Sequence, residues 1–248
     1  MATRLERYSY NQFKQALDQS YNVALANLAV DGVQSVNWIK IDYILASYDR
    51  VWGNVSLYNG KQAQQAILGV SRLVDSAWKA NVSNYINSVN YGRVKDVWGG
   101  TRKLYVEAVN DAIQTATNEG LGAEATQRRI RQLVNGKLKG DINVWRARRI
   151  ARTEMVAAGN YGTNQAMVDS VNNYGARIQK VWITAMRESR DAHIAANGQV
   201  REVGQPFDVG GEKLQYPGDP THGSAGNVIN CQCVLNSQPM PGINFIRY

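Results

Sequence analysis

The sequence predicts an α+β fold, with a largely helical N-terminal region followed by a small C-terminal domain built from a short antiparallel or mixed sheet and ordered loops. Two features divide the chain this way. No proline occurs before Pro206, and over the first 175 positions apolar residues recur at three- and four-residue steps, the period of one helix face. After Gly175 the pattern turns to alternation and then to clustered proline and glycine, the punctuation of strands, hairpins and turns.

Tyr8 to Gly60 reads as helix interrupted at Asp31-Gly32 and at Gly53-Asn54. Its aromatics Trp38, Tyr43, Tyr48 and Trp52 look exposed, and such residues serve either as core or as interface anchors. Ala63, Ala66, Ile67, Val70, Leu73, Val74, Ala77 and Trp78 predict one amphipathic helix. Tyr105, Ala108, Val109, Ala112, Ile113 and Ala116 predict another, stopped at Asn118 to Gly122 and packed on the first.

Ala125 to Val134 continues as helix, with Ile130, Leu133 and Val134 as its apolar stripe, until Asn135-Gly136 breaks it. A last long helix runs from Asn143 to about Val168 and ends at Asn172-Asn173-Tyr174-Gly175. On it Ile150, Glu154, Ala157 and Ala158 share one side, so Glu154 is expected to point into the domain. Arg177 to Thr184 alternates as a strand, with Ile178, Lys180 and Trp182 on one face and Val181 and Ile183 on the other. A short helix from about Ser189 to Ala196 closes at Asn197-Gly198. Hairpins and ordered loops around a small sheet complete the chain.

At 248 residues the chain can bury a sizeable core in one or two domains. No apolar run approaches the roughly 18 residues that span a bilayer, and the first residues lack a signal-peptide hydrophobic stretch, so synthesis and folding in the cytosol are expected. In that compartment the two cysteines are expected to be thiols or metal ligands. Their i, i+2 spacing puts both side chains on one face of an extended segment, a poor geometry for a mutual disulfide.

The formal net charge of +8 is concentrated. Arg128, Arg129, Arg131, Lys137, Lys139, Arg146, Arg148, Arg149 and Arg152 face the single acid Asp141, so this segment accounts for the whole excess. Such a patch can hold phosphates through charge-assisted contacts, and these nine residues are the candidate nucleic-acid contacts. A solvated helix face, or pairing with the acids of a partner subunit, is the competing reading.

The C-terminal quarter holds both histidines and both cysteines. Cys231 and Cys233 could present two thiolates to one ion, with His193 as third ligand and His222 or Asp219 as fourth, a mixed set that suits zinc. Buried thiols beside a hydrogen-bonded histidine compete with that reading. His193, Asn197, His222 and Asn230 also offer the residue types of a His-Asn-His nuclease, but their spacing does not follow its hairpin-then-helix order. A cysteine nucleophile with His193 as base lacks the helix N-terminus that would activate it. There is no Gly-x-Ser-x-Gly, no phosphate-cradling Gly-x-x-x-x-Gly-Lys-Ser/Thr, and no pair of acids framed by aromatics. No catalytic residue is assigned.

Architecture accounts for the rest. Trp182 fills a core, Arg190 and His193 brace a loop from one helical turn, Pro217 and Gly218 make a rigid turn with Asp219, and Asn230 bonds nearby backbone.

One ordered set of pieces is more distinctive than any of its members. It comprises Arg149-Ile150-Ala151-Arg152-Thr153-Glu154, Trp182-Ile183-Thr184, Arg190-Asp191-Ala192-His193, Asn197-Gly198-Gln199, Tyr216-Pro217-Gly218-Asp219-Pro220 and Asn230-Cys231-Gln232-Cys233. In that order they resemble the C-terminal domain of the phage Mu F-like minor head proteins, the phage head morphogenesis family. Glu154, Trp182, Thr184, Arg190, Gly198, Pro217, Asp219 and Asn230 are the motif positions. An Asp common in that family soon after Trp-x-Thr is missing from Ala185-Met186-Arg187-Glu188, so no chemistry is carried over from that spot.

The resemblance implies a minor capsid protein of a tailed phage, a virion component at the portal vertex or capsid interior that is assembled in the host cytoplasm. It implies a helical docking region over 1–122, a head morphogenesis domain over 123–238 and a tail over 239–248. Its expected partners are the portal protein, the major capsid protein and double-stranded DNA, with no membrane. The function implied is structural, with zinc as the one candidate cofactor. A metal-dependent DNA-processing enzyme of the phage head is the alternative.

Overall fold

The computed structural model describes residues 3–185 and 189–242. Residues 186–188 of the stretch after Trp-x-Thr, and 243–248 of the expected tail, lie outside the described residues, as do Met1 and Ala2. Helix dominates to Tyr174, and strands, turns and two short helices follow, the expected α+β arrangement. Among the described residues no helix is long and apolar enough to cross a membrane.

Helix α1 (Arg4–Asp31) starts where Thr3 accepts the Glu6 amide at 3.1 Å, with the Glu6 carboxylate in the first turn, a favourable end for the helix dipole. It stops at Gly32, as the sequence predicts, and a 3-10 segment (Gly32–Trp38) leads to α2 (Asp42–Leu68). Gly53-Asn54 does not interrupt α2. Tyr48 and Trp52, expected among the exposed aromatics, are buried on its inner face, whereas Trp38 is exposed.

The helix expected from Ala63 to Trp78 is two helices. Gly69, in the left-handed region at φ 74°, caps α2, and α3 (Asp75–Ser88) begins six residues later. The carboxamide oxygen of Gln64 accepts the Arg72 amide at 2.5 Å, giving the intervening chain a non-helical partner. Helix α4 (Tyr91–Asn118) does not pack on Ala63 to Trp78 through its expected stripe. Tyr105, Ala108, Val109 and Ala112 join Tyr21, Ala24, Leu25 and Leu28 of α1 in one core cluster, while Ile113 is exposed.

Helix α5 (Ala123–Leu133) does not break at Asn135-Gly136. It runs into a wide π-helical segment (Val134–Ile142), whose one kink is at Gly140 with ψ −114°, and then into α6 (Asn143–Tyr174). Val134 and Leu138 fasten this wide stretch to the α1–α4 core.

Helix α6 is the spine. It packs along α2 and α1 on one side and against the C-terminal strands on the other. At its crossing with α2 a Cβ on Gly162 would overlap the Ser56 carbonyl and come within 2.7 Å of the Ser56 Cα, so only glycine allows this approach.

Beyond Gly175, β1 (Ile178–Ile183) forms the centre of a three-stranded antiparallel sheet, with β2 (Val200–Glu202) on one edge and β5 (Val234–Pro239) on the other. Ile178, Lys180 and Trp182 face inward as their alternation requires. Helix α7 (Asp191–Ala196) covers this face, and β3 (Phe207–Val209) and β4 (Glu212–Leu214) make a hairpin beside it. A last short helix, α8 (Ala225–Val228), precedes the cysteine segment. The third core cluster gathers Met167 of α6 with Trp182, Phe207, Leu214, Tyr216, Cys231, Cys233 and Leu235.

Candidate functional site

The motif pieces, as far apart in sequence as Arg149 and Cys233, meet on the C-terminal side of α6. Thr153 accepts the backbone amide of Asn230 at 3.0 Å while its own hydroxyl donates to Arg149 O at 2.9 Å. Asn230 takes a left-handed backbone, φ 61°, that asparagine tolerates better than most residues. Two turns along α6, Asn160 donates to Pro217 O and Cys233 O, both at 2.9 Å, and accepts the Leu235 amide at 2.9 Å. One side chain thus joins the Pro-Gly-Asp-Pro turn, the Cys-x-Cys segment and β5.

Glu154 faces the other way, into the helical core, as its helical register predicts. It is 2% exposed, and its carboxylate accepts Tyr48 Oη at 3.2 Å, Trp52 Nε1 at 3.0 Å and Arg93 Nη2 at 2.5 Å. A buried carboxylate needs such a set of donors. Burial, and then the Glu154 charge, push the Tyr48 phenol well above its ordinary range. Burial alone would lower the Arg93 guanidinium, but the Glu154 charge together with the nearby phenols of Tyr48, Tyr216 and Tyr85 outweighs it and raises the group.

The turn at Tyr216 to Pro220 is pressed onto the same helix. Gly218 has φ 79°, and a Cβ there would meet the Ala157 backbone at 3.2 Å, so a left-handed turn and close contact both call for glycine. Asp219 is 1% exposed and fully engaged. Its oxygens accept the amides of Gln215 and Thr221 at 2.9 Å each, and the His222 ring nitrogen Nδ1 at 2.8 Å. Tyr216 packs edge-on against Tyr161, which stacks on Tyr85 at 4.7 Å, and Tyr85 lies 5.6 Å from Trp52. An aromatic chain thereby links the helical core to the motif turn.

His193, Cys231 and Cys233 converge. Helix α7 carries His193, 2% exposed and edge-on to Trp182, with Nδ1 at 3.3 Å from Cys233 Sγ and 3.7 Å from Cys231 Sγ. The hydrogen bond from the Cys231 thiol leads in lowering Cys233; burial opposes it, and His193 and Thr184 add to it. Cys231 is raised by that same hydrogen bond and by burial. Both thiols are free and buried. The fourth ligands considered from the sequence are elsewhere: His222 and Asp219 pair with each other, and neither belongs to the close group. Nor does Asn197 join a nuclease-like set, because its side chain accepts the Thr184 amide at 3.0 Å.

Around this group the other motif residues hold loops. Arg190 donates to Ile229 O, Gly198 donates its amide to Trp182 O at 2.8 Å, and the Thr184 hydroxyl meets Ser189 at 2.9 Å and Cys233 Sγ at 3.6 Å.

Asn160 carries no local signature and is absent from the sequence-predicted site, whereas alternation gives Lys180 the inward face of β1 without giving it a role. Lys180 is fully buried, and its ammonium donates to Gln215 O at 2.7 Å and Gln215 Oε1 at 3.1 Å. Burial pulls it down to about 8 against the opposing pull of Asp219.

The basic segment is not a uniform patch. Arg128 and Arg129 pair with Glu124 and Glu119, and Arg152 with Glu6. Arg146 turns inward to Thr101 at 3.1 Å and Val97 O at 3.3 Å, and burial lowers its guanidinium. Lys139 meets Asn22 and Asn135, Arg131 is half-buried, and Lys137 is exposed. Arg148 and Arg149 are exposed, with Arg149 stacked 4.4 Å over the ring of Trp145, itself 58% exposed. Beside them a cavity of about 560 Å³ opens between α4, α6 and the 220–229 loop, lined in part by Arg93, Glu107, Arg146, Arg149 and Ile150.

Neither the curated proteins nor the solved structures contain a match to this chain. Among protein families, the phage Mu protein F-like family matches residues 107–236. The matched span begins in α4, well before the motif at Arg149, and ends in β5. It contains the α5–π–α6 run, the cysteine–histidine group and all the motif pieces from Arg149 to Cys233, but not α1 and α2, on which α6 also packs. With more than half of its length so matched, the chain belongs to the phage Mu protein F-like family of phage head morphogenesis proteins.

Proposed function

We propose that this chain is a minor capsid protein that works at the portal vertex or capsid interior by holding its neighbours, not by turning over a substrate. The observation that carries this reading is the inward commitment of the motif. Glu154 and Asp219 are buried and spent on bonds within the chain, His193 lies buried against the two thiols, and Asn160, outside the motif, ties the motif loops to α6. The distinctive residues thus stabilise a body whose outer surface is left for contacts. Portal and major capsid proteins are the partners proposed, with the exposed Trp145 as an anchor of the kind that dominates interfaces.

Packaged double-stranded DNA is the proposed contact of Arg148 and Arg149. Their charges are exposed and neither forms an ion pair among the described residues. Replacing both by Ala is expected to weaken duplex DNA binding and to flatten its log–log salt dependence by about 2. Binding that ignores salt, or that survives the double substitution unchanged, removes DNA from the proposal. The location is tested by quantitative mass spectrometry of heads purified from the encoding phage, followed by cross-linking. The reading expects few copies per head, cross-linked to portal or major capsid protein, and absence from mature heads overturns it.

A further inference from the structure

We infer that His193, Cys231 and Cys233 form a structural zinc site that locks the cysteine segment to α7. Three buried ligand atoms, one ring nitrogen and two sulfurs, lie within 4.8 Å of one another, with Nδ1 at 3.3 and 3.7 Å from the sulfurs. In a tetrahedral site with ordinary zinc–sulfur and zinc–nitrogen bonds, nitrogen and sulfur ligands stand about 3.6 Å apart. The side chains are therefore already near the edges of a coordination tetrahedron, without any rearrangement of the backbone.

The surroundings agree with the donor set. The group sits in the apolar cluster of Trp182, Phe207, Ala196 and Leu235, which keeps bulk water from competing for the ion. Soft thiolates with one imidazole select zinc over calcium or magnesium, which take oxygen ligands. Thr184 Oγ1, 3.6 Å from Cys233 Sγ, puts an oxygen beside the site for the fourth position, directly or through a water. The sequence spacing of ligands is unlike a zinc finger, because the fold brings α7 to the segment before β5 in place of a paired knuckle. Binding Zn²⁺ to two thiols and a neutral imidazole releases two protons to solvent and transfers no electrons.

The site has a structural purpose. Val228 to Cys233 contains little regular structure, and its position is set by Arg190, Thr153 and Asn160 from outside. An ion at its centre would add the missing internal tie, which matters most in a small sheet domain with no disulfide among the described residues.

The test uses the full chain, purified without an affinity histidine tag from zinc-supplied medium. Elemental analysis should find about one zinc per chain. Cobalt exchanged into the chain should give the near-ultraviolet thiolate-to-metal band and the visible bands of a tetrahedral site. Cys231 and Cys233 are the protein's two cysteines, so that band reports their ligation without any substitution. Cys233→Ser and His193→Ala should lose the metal, and His222→Ala, at a half-exposed residue, should keep it. Chelation should lower the thermal midpoint of the wild type but not of Cys233→Ser. A folded wild type without zinc and without the cobalt thiolate band overturns the assignment, even if both site variants fail to fold. So does zinc that persists in a folded Cys233→Ser protein.

Discussion

Asn160, in the middle of α6, donates to the backbone carbonyl of Cys233 at 2.9 Å. The same carboxamide also serves Pro217 O and Leu235 N, so a single side chain satisfies three backbone groups, one in the motif turn, one in the cysteine segment and one in β5. Backbone groups in a protein interior must be paired, and here no local secondary structure pairs them.

Asn160→Leu keeps the approximate volume of the side chain and orphans all three groups. Each unsatisfied group costs about 1–3 kcal/mol, so a loss of several kcal/mol is expected in urea unfolding, with the cysteine segment opening first. Hydrogen exchange at Leu235 should rise with it. A loss below about 1 kcal/mol would mean that water or a shifted loop replaces the carboxamide.

Glu154 and Arg93 make the second buried commitment. Glu154→Gln removes the charge that balances Arg93 and presents an NH₂ group where Tyr48, Trp52 and Arg93 all donate. Breaking one side of a buried pair costs about 3–5 kcal/mol. The double variant Glu154→Gln, Arg93→Met should recover part of that loss, because no unpaired charge remains inside. Equal stability of the single and double variants would show that the ion pair is not the source.

The α+β division, the inward turn of Glu154 and the facing of Ile178, Lys180 and Trp182 were legible because each depends on local periodicity. The gap between α2 and α3 was not. Leu73, Val74 and Trp78 keep a helical period, but Gly69 and the Gln64 side chain offer the backbone a different set of partners. Tyr48 and Trp52 looked exposed because the residue that buries their polar atoms, Glu154, is about 100 positions away. The grouping of His193 with Cys231 and Cys233 was suggested by residue type, yet the exclusion of His222 depends on a turn that gives it to Asp219. The reach of Asn160 had no sequence signal at all, since an asparagine on a helix is ordinary until the loops that need it are in place.

Gly162 tests the α2–α6 crossing. Gly162→Ala places a methyl against the Ser56 backbone, which cannot rotate away as a side chain could, and a loss of about 3 kcal/mol or more is expected from overpacking. Gly99→Ala in α4 is the matched control. Nothing lies within 4 Å of a Cβ there, so the helix-propensity gain of about 0.5–1 kcal/mol should appear unopposed. Urea midpoints of the two variants should move in opposite directions, and a neutral Gly162→Ala would place the helices farther apart than described.

Lys180 makes stability depend on pH in a direction opposite to that of the buried tyrosines. Its folded value, about 8, lies below its ordinary 10.5, so the unfolded chain binds the proton more tightly. Stability therefore rises as pH climbs from about 8 towards 10.5, by up to about 3 kcal/mol if no other group intervened. Tyr21, Tyr48, Tyr105, Tyr161 and Tyr216 are raised chiefly by burial, so they begin to ionise first in the unfolded chain, and stability falls as pH passes 10. The two trends should give a maximum between pH 8 and 10 in the urea midpoint measured at closely spaced pH. Lys180→Met should abolish the rise below that maximum and leave the alkaline fall in place. If the rise survives in a folded Lys180→Met protein, the buried ammonium is not its origin.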